Sequence, residues 1–512
     1  MKWHKKGDFV MKMRDLSVEE ENLLKRFVTD VYGPVYFIHS LPEFIIPPIN
    51  SKVSRRDTSW RLNILESLSD GDLNIKDFTY NNEWNLEGAI EKAKDFHEKW
   101  VEKFGHSSIA EQHLMHLCVE DISRHLSGDI ELMNKRPAFI EWSQRYQKPT
   151  KDKVVIPHEL ERYPDLKKKF LELWDTSYNT YELLVDELTK YLLNSTERKE
   201  NESTDKFKNR VLKIAFEDAR YALILATKTS FAVALNALDL QDILRKLMAH
   251  ESEEGKILSR KIIEQAEKIA PSMLRHTQPT IYQTKVDERL FDVISKKKIG
   301  TQKFDDVVLI DYTGKDGKYK PEDVLLMHLI FKYTGKDLES IKTALANMSE
   351  AEKDVIIENS LKDVGPYDHL IDSFRSVRLK FQLNISEANW HQLLRHRMIN
   401  FEVSRPSINN GYIIPPNIKS AGCTDILEKA IKASEEFYIE IYDKLPNVAP
   451  YVVTNAHKRM VLMDTDLWAF DHFINLRYTE HAQWDIRNIS KNMYDIAKEI
   501  LPRLSNYMGR RY

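Results

Sequence analysis

The sequence is short of several things, and each shortage removes a class of protein. It has two cysteines in 512 residues, Cys118 and Cys423. That is too few for a disulfide framework and points to a reducing, cytoplasmic setting. No apolar run approaches the roughly 18 residues that cross a bilayer, so no membrane partner is expected. The opening MKWHKKGDFVMKMRD has no apolar segment, so no secretory signal is expected there. Charge of one sign is missing too: 76 basic side chains against 79 acidic ones give a net charge of −3. Nothing in that balance draws the chain to nucleic acid or an anionic surface. No carboxylate–histidine pair of the zinc-protease kind accompanies His113 and His116, so no metal site is assigned.

What remains is an ordinary globular composition, 42% apolar and 30% charged, long enough for about three domains of ordinary size or two large ones. One stretch stands out, Trp390 to Pro406, WHQLLRHRMINFEVSRP. Ala388–Leu394 has no Pro or Gly and apolar positions on one face, which predicts a helix. After Met398 the alternation Ile399, Phe401, Val403 predicts an extended segment ending at Pro406. Arg395, His396 and Arg397 therefore stand where helix gives way to strand, with Gln392 one turn earlier. Cations are favoured at a helix C-terminus by roughly 0.3–1 kcal/mol each. Adjacent helical positions point apart, so one carboxylate cannot serve all three. Taken alone, the tripeptide reads first as a solvated basic helix end and second as a polyanion contact.

Along the chain, residues 35–48 read as strand and turn. Residues 87–104 read as a helix ending at Gly105, and 106–126 as another with Leu114, Leu117, Cys118, Ile122 and Leu126 on one buried face. Glu141, Ser143 and Arg145 alternate on an extended edge. Acceptor, hydroxyl and guanidinium on one side suit a pyrimidine nucleotide, and equally a polar strand face. Residues 158–205 look like a charged helical insertion. Residues 206–250 read as helical, with Arg220 before an apolar run and Asn236 beyond it, and 256–270 as a further helix. Residues 275–320 form the connection, placing the boundary near 295. Then the pattern repeats: Glu402-x-Ser404-Arg405 before Ile413-Ile414-Pro415-Pro416 echoes Glu141-x-Ser143-x-Arg145 before Val154-Val155-Ile156-Pro157. The helix ending at Pro502 echoes the one ending at Pro271. Two tandem copies are predicted, 1–295 and 296–512. In the last stretch, Arg477 and His481 are four apart on a predicted helix with Gln483 near the same side.

Together these stretches resemble the flavin-dependent thymidylate synthases. The resemblance rests on Arg395-His396-Arg397, on Glu141-Trp142-Ser143-Gln144-Arg145-Tyr146, and on Gly105-His106 through Glu111. It rests also on Asn475-Leu476-Arg477 with His481-Ala482-Gln483-Trp484-Asp485-Ile486. Departures accompany it. Gln112 stands where that family has His. The first half reads Met133-Asn134-Lys135 or close to it where the second has Arg-His-Arg. Arg220 has Pro450 as its counterpart. The Arg of an Asn-Ala-Arg segment is replaced by Leu238 and Trp468.

The resemblance implies an α+β fold: two thymidylate synthase-like repeats, largely helical, each with a smaller antiparallel sheet. It implies FAD as cofactor, with NADPH and methylenetetrahydrofolate as co-substrates for the reductive methylation of dUMP to dTMP. Gln392, Arg395 and Arg477 would be catalytic. Glu141, Ser143, Gln144, Arg145 and Arg220 would bind substrate. Arg395, His396, Arg397, Ser54, His106, Glu111, Asn236, His481 and Gln483 would bind the flavin. Each half alone is incomplete while the losses are complementary, so one shared site and a homodimer carrying four repeats are implied. Two alternatives stay open: another pyrimidine substrate, and a non-catalytic nucleotide-binding scaffold.

Overall fold

A computed structural model describes residues 15–41, 58–69, 114–268, 277–300 and 305–510. Ser54, His106 and Glu111, and the helix expected at 87–104, lie outside them.

The first copy opens with helix α1 (Val18–Leu24), strand β1 (Val35–Ile38) and α2 (Trp60–Ser69). Strand β2 (Leu114–Ser123), α3 (Arg124–Met133) and β3 (Ala138–Glu141) follow, then α4 (Pro164–Ser195) and α5 (Thr204–Ala219). Strand β4 (Lys228–Asn236), α6 (Ala237–Met248), α7 (Glu253–Ala266) and α8 (Ile281–Ile294) complete it. The second copy begins with β5 (Val307–Tyr312), α9 (Pro321–Thr334), α10 (Leu338–Asn347) and α11 (Glu350–Leu361). It continues through β6 (Arg378–Ser386), α12 (Glu387–Leu393), β7 (Asn400–Val403), α13 (Pro416–Ser420) and α14 (Thr424–Tyr442). It closes with α15 (Ala449–Val452), β8 (Lys458–Asp466), α16 (Leu467–Arg477) and α17 (Trp484–Ile500).

Each copy builds one antiparallel four-stranded sheet in the same order, β1-β2-β4-β3 and β5-β6-β8-β7. The registers correspond: Val119 faces Phe231 as Leu383 faces Val461. The same polar residues turn strand into helix in both. Ser123 accepts from Leu126 N–H and Ser386 from Asn389 N–H, each at 3.0 Å. Asn236 caps α6 through Asp239 N–H and Asp466 caps α16 through Ala469 N–H, each at 2.8 Å. Such caps contribute about 1 kcal/mol apiece. The first core lies between sheet and helices, with Leu117, Val119, Phe231 and Val233 against Leu240, Leu244 and Leu258.

Several expectations need correcting. Residues 114–123 are strand β2, not helix, and 228–236 are β4. Leu117 and Val119 enter one core while Cys118 enters another with Trp60 and Tyr36. A strand buried on both faces loses the polar alternation that marks strands, and its apolar run passes for a helix. The extra chain expected at 158–205 does not form a separate block. Helix α4, of 32 residues, has α14, of 19, as its counterpart, and α5, of 16, has α15, of 4. The extra length lengthens existing helices. Equivalent hydrogen bonds support the match: Ser177 Oγ donates to Ala222 O at 2.8 Å, and Ser434 Oγ to Val452 O at 2.6 Å.

The chain divides into two compact units cut differently from the two copies. One is residues 1–299 with 414–455; the other is 300–413 with 456–512. Residues of the second copy thus belong to the first unit. Within that unit Ile224 and Thr454 form an antiparallel bridge. Leu225 N–H donates to Val453 O at 2.8 Å and Asn455 N–H to Leu223 O at 2.9 Å. Ile224 and Thr454 stand at the same distance before β4 and β8, so equivalent residues face each other across a local pseudo-two-fold.

The cap at Ser386 does more than end a strand: its Oγ also donates to buried Asp485 at 2.6 Å, and Asn389 Nδ2 donates to the same carboxylate at 2.9 Å. Ser386→Ala loses a cap and strips a buried carboxylate of one donor, a cost of about 2–3 kcal/mol. A thermal denaturation of the variant should show a midpoint several degrees lower.

Candidate functional site

Two polar networks carry the candidate residues, one in each unit. In the first unit Glu141 ends β3 and accepts from Ser127 Oγ at 2.7 Å and Thr229 Oγ1 at 3.0 Å. Ser143 and Arg145 lie past the strand, in a turn where Arg145 N–H donates to Ser143 Oγ at 3.3 Å. They do not share one extended face with Glu141, as alternation had predicted. Arg145, partly exposed, bonds the Glu217 carboxylate through Nε.

Behind it sits Arg220, in the 3₁₀ turn after α5 and 3% exposed. Its Nε donates to Glu217 O at 3.2 Å, and its Nη2 is buried without a partner. Burial pulls this guanidinium below its usual value, and neighbouring Arg145 adds repulsion. An arginine stays charged regardless; the Glu217 and Asp218 carboxylates nearby offset its charge in part, and among the described residues Nη2 has no acceptor. Gln144 is 1% exposed and its Nε2 is also unpartnered, as is Tyr181 Oη. Two further residues, Asn455 and Asn417, join this buried cluster. Asn455 Nδ2 donates to Arg220 O at 2.9 Å and Gln144 Oε1 at 3.3 Å. Asn417 holds Asp218 at 2.7 Å. Only the pseudo-symmetry would have marked Asn455, because it lies far away in sequence.

In the second unit helix α12 ends as expected, and β7 follows. Gln392 Nε2 donates to Ala388 O and Gln483 Oε1, each at 3.1 Å, while its buried Oε1 has no partner. Arg477 Nε donates to His396 Nε2 at 2.8 Å, and Arg477 Nη2 to Gln392 O at 3.1 Å. An imidazole accepting at Nε2 carries its proton on Nδ1, so His396 acts here as a neutral acceptor. The row of three cations is therefore two, Arg395 half-buried and Arg397 exposed. The ring of His396 meets Phe473 edge-on at 4.9 Å.

The last motif is not one helix. Helix α16 ends at Arg477, His481 sits exposed in the following turn, and Gln483 starts α17. Arg477 and His481 share no helical face. Gln483 meets Gln392 because the turn brings the chain back. Asn236, expected at the flavin, spends its side-chain carbonyl on capping α6.

Register shows what each copy lacks. Val403 faces Val461 as Glu141 faces Phe231, so Val403, not Glu402, occupies the Glu141 position. Counting from caps Ser123 and Ser386, the first copy has Leu132-Met133-Asn134 at the Arg-His-Arg position, one residue before the triplet predicted. Gln392 corresponds to Asp129. There the first unit holds a different cluster: Asp129 Oδ2 lies 3.4 Å from both His125 Nδ1 and His250 Nε2. Burial opposes protonation of His250, but Asp129, with Glu251 and Glu254 behind it, outweighs burial and raises its pKa. A raised value stabilises the fold fully below the unfolded value of about 6.5 and ceases to do so as pH climbs through the folded one. The thermal midpoint should therefore fall as pH rises from about 6.5 upward, and Asp129→Asn should flatten that fall.

Two blocks of the sequence, residues 70–272 and 309–503, match the profile of the thymidylate synthase complementing protein family. The chain belongs to this family. The family accounts for the duplicated sheet order and the duplicated caps. A UPF0159 protein of Chlamydia muridarum is 23% identical, covering 95% of this chain and 93% of its own length. Another UPF0159 protein, of Thermoplasma acidophilum, is 22% identical over 82% of this chain and 89% of its own. A flavin-dependent thymidylate synthase of Clostridium tetani is 27% identical over 38% of this chain and 77% of its own. Among the described residues no helix is long and apolar enough to cross a membrane, and no group of His, Cys, Asp and Glu has the arrangement of a metal site.

Proposed function

We propose that this family member catalyses FAD-dependent reductive methylation of dUMP to dTMP, with methylenetetrahydrofolate as carbon donor and NADPH as reductant, and works as a homodimer. The observation that carries the reading is the network joining Arg477, His396, Gln392 and Gln483, drawn from two of the family's motifs. In it Arg477 and Arg395 draw electron density from the pyrimidine carbonyls, and the unpartnered Gln392 Oε1 accepts from the ring N–H. In the first unit Arg220 and Gln144, with donors lacking an acceptor, suit a phosphate, with Arg145 and Ser143 beside them in sequence. Arg395, Arg397 and Gln483 hold the flavin, and the partly solvated edge near His481 suits its polar parts. The flavin supplies hydride, and the protein orients and polarises.

No protein nucleophile is required, in keeping with two cysteines whose thiols burial pushes up, away from the thiolate. Rescue of a thymidine-requiring bacterial strain tests the reading. Growth without thymidine supports it, and failure by a well-expressed, folded chain counts against it.

One observation favours a second reading, the same cofactor chemistry on another pyrimidine. Trp468 replaces an arginine of the related synthases, and its ring lies under the Arg375 guanidinium at 4.0 Å and against His369 at 4.9 Å. Substrate binding by uracil-containing ligands other than deoxyuridylate would separate the two.

A further inference from the structure

We propose that Asn455, a residue of the second copy, is the positioning residue of the anion pocket built by Gln144 and Arg220 of the first. The inference rests on the reading of that pocket as a phosphate site. Asn455 is fully buried. Its side chain faces the Arg220 main-chain carbonyl at 2.9 Å, and a carbonyl only accepts. The nearer atom of the Asn455 amide must therefore be Nδ2. The second hydrogen of that nitrogen goes to Gln144 at 3.3 Å, so the Gln144 atom receiving it is Oε1. Gln144 is then left presenting Nε2, a donor, and this is the atom buried without an acceptor. Arg220 Nη2 is the second such donor.

The chain of orientation runs in one direction: a main-chain carbonyl fixes the Asn455 amide, which fixes the Gln144 amide. An amide free to turn would offer an anion its oxygen as readily as its nitrogen. Asn455 removes that choice for Gln144, so the cluster presents two unpartnered donors, Gln144 Nε2 and Arg220 Nη2, beside one unpartnered acceptor, Asn455 Oδ1. Two aligned donors, one of them cationic, favour a phosphate monoester over a neutral hydroxyl.

The position is marked by the fold. Asn455 corresponds to Leu225 across the local pseudo-two-fold, and both make the same main-chain bond to the opposite copy, Asn455 to Leu223 and Leu225 to Val453. The backbone thus accepts leucine at this place, and the amide is an addition peculiar to one copy. One pocket is oriented and its counterpart, with Pro450 at the Arg220 position, is not.

The test is calorimetric titration of the full chain with deoxyuridylate, deoxyuridine and orthophosphate. Asn455→Leu should lower deoxyuridylate affinity at least tenfold and leave deoxyuridine unchanged. Gln144→Leu should do the same, and adding Asn455→Leu to it should cost nothing more, because Asn455 acts through Gln144. Should Asn455→Leu not fold, Gln144→Glu carries the test. Asn455 would hold one carboxylate oxygen and point the other at the phosphate, and the preference for nucleotide over nucleoside should vanish. Additive losses, or equal losses for nucleotide and nucleoside, overturn the proposal, as does a chain that binds neither deoxyuridylate nor orthophosphate. A chain that binds orthophosphate in an Asn455-dependent way but not deoxyuridylate upholds the pocket and defeats the thymidylate reading instead.

Discussion

Arg220→Ala is expected to weaken deoxyuridylate binding by roughly tenfold to a hundredfold. The arginine is almost wholly buried, and Nη2 has no acceptor among the described residues. A charge-assisted hydrogen bond contributes about 1.5–3 kcal/mol, and each 1.4 kcal/mol or so is a factor of ten in affinity. The loss should appear in the nucleotide and not in the nucleoside, which lacks the phosphate. Stability behaves differently. Burying a guanidinium with one donor unpartnered costs desolvation energy that the nearby Glu217 and Asp218 offset only in part, so removing it costs the fold little. The thermal midpoint of the ligand-free variant should stay level or rise, while the shift produced by deoxyuridylate shrinks. A variant with lower intrinsic stability and unchanged nucleotide affinity would mark Arg220 as a structural residue.

Arg477→Ala is expected to cut turnover by about 10²–10³, the range for removing one donor that meets developing charge. Nucleotide affinity should change far less than in Arg220→Ala. The guanidinium is held at two points, His396 Nε2 at 2.8 Å and Gln392 O at 3.1 Å. Such a fork is placed rigidly and loses little on engaging a carbonyl. Lysine cannot span both anchors with one nitrogen while also reaching a substrate, so Arg477→Lys should restore little. Single-turnover measurements with saturating nucleotide separate the chemical step from binding. Equal loss in Kd and rate would instead make Arg477 a binding residue.

The parts of the fold legible in sequence were those with local causes. The α12 helix and β7 strand were readable because apolar spacing changes period at Met398. The duplication was readable because Pro-terminated segments and Glu-x-Ser runs recur. What escaped has non-local causes. Strands β2 and β4 are covered on both faces, and a doubly buried strand has no polar side to reveal its period. Residue type pairs Glu402 with Glu141, whereas hydrogen bonding in the sheet puts Val403 at that position, one residue on. The turn after Arg477 contains no Pro or Gly, so Arg477 to Gln483 passed for continuous helix. Asn455 was out of reach, since its partners Gln144 and Arg220 are brought to it by the pseudo-symmetric pairing of two distant segments. The candidate residues Gln392, His396, Arg477 and Gln483 do converge, though through a turn rather than along a helical face.

Supply the purified full-length chain with FAD, deoxyuridylate, methylenetetrahydrofolate and NADPH, and follow thymidylate formation together with flavin oxidation. Thymidylate should form with one NADPH consumed per product, and omission of the flavin should abolish it. A flavin that binds and is reduced, yet yields no thymidylate over many equivalents of NADPH, would contradict the assignment of this duplicated chain to deoxyuridylate chemistry.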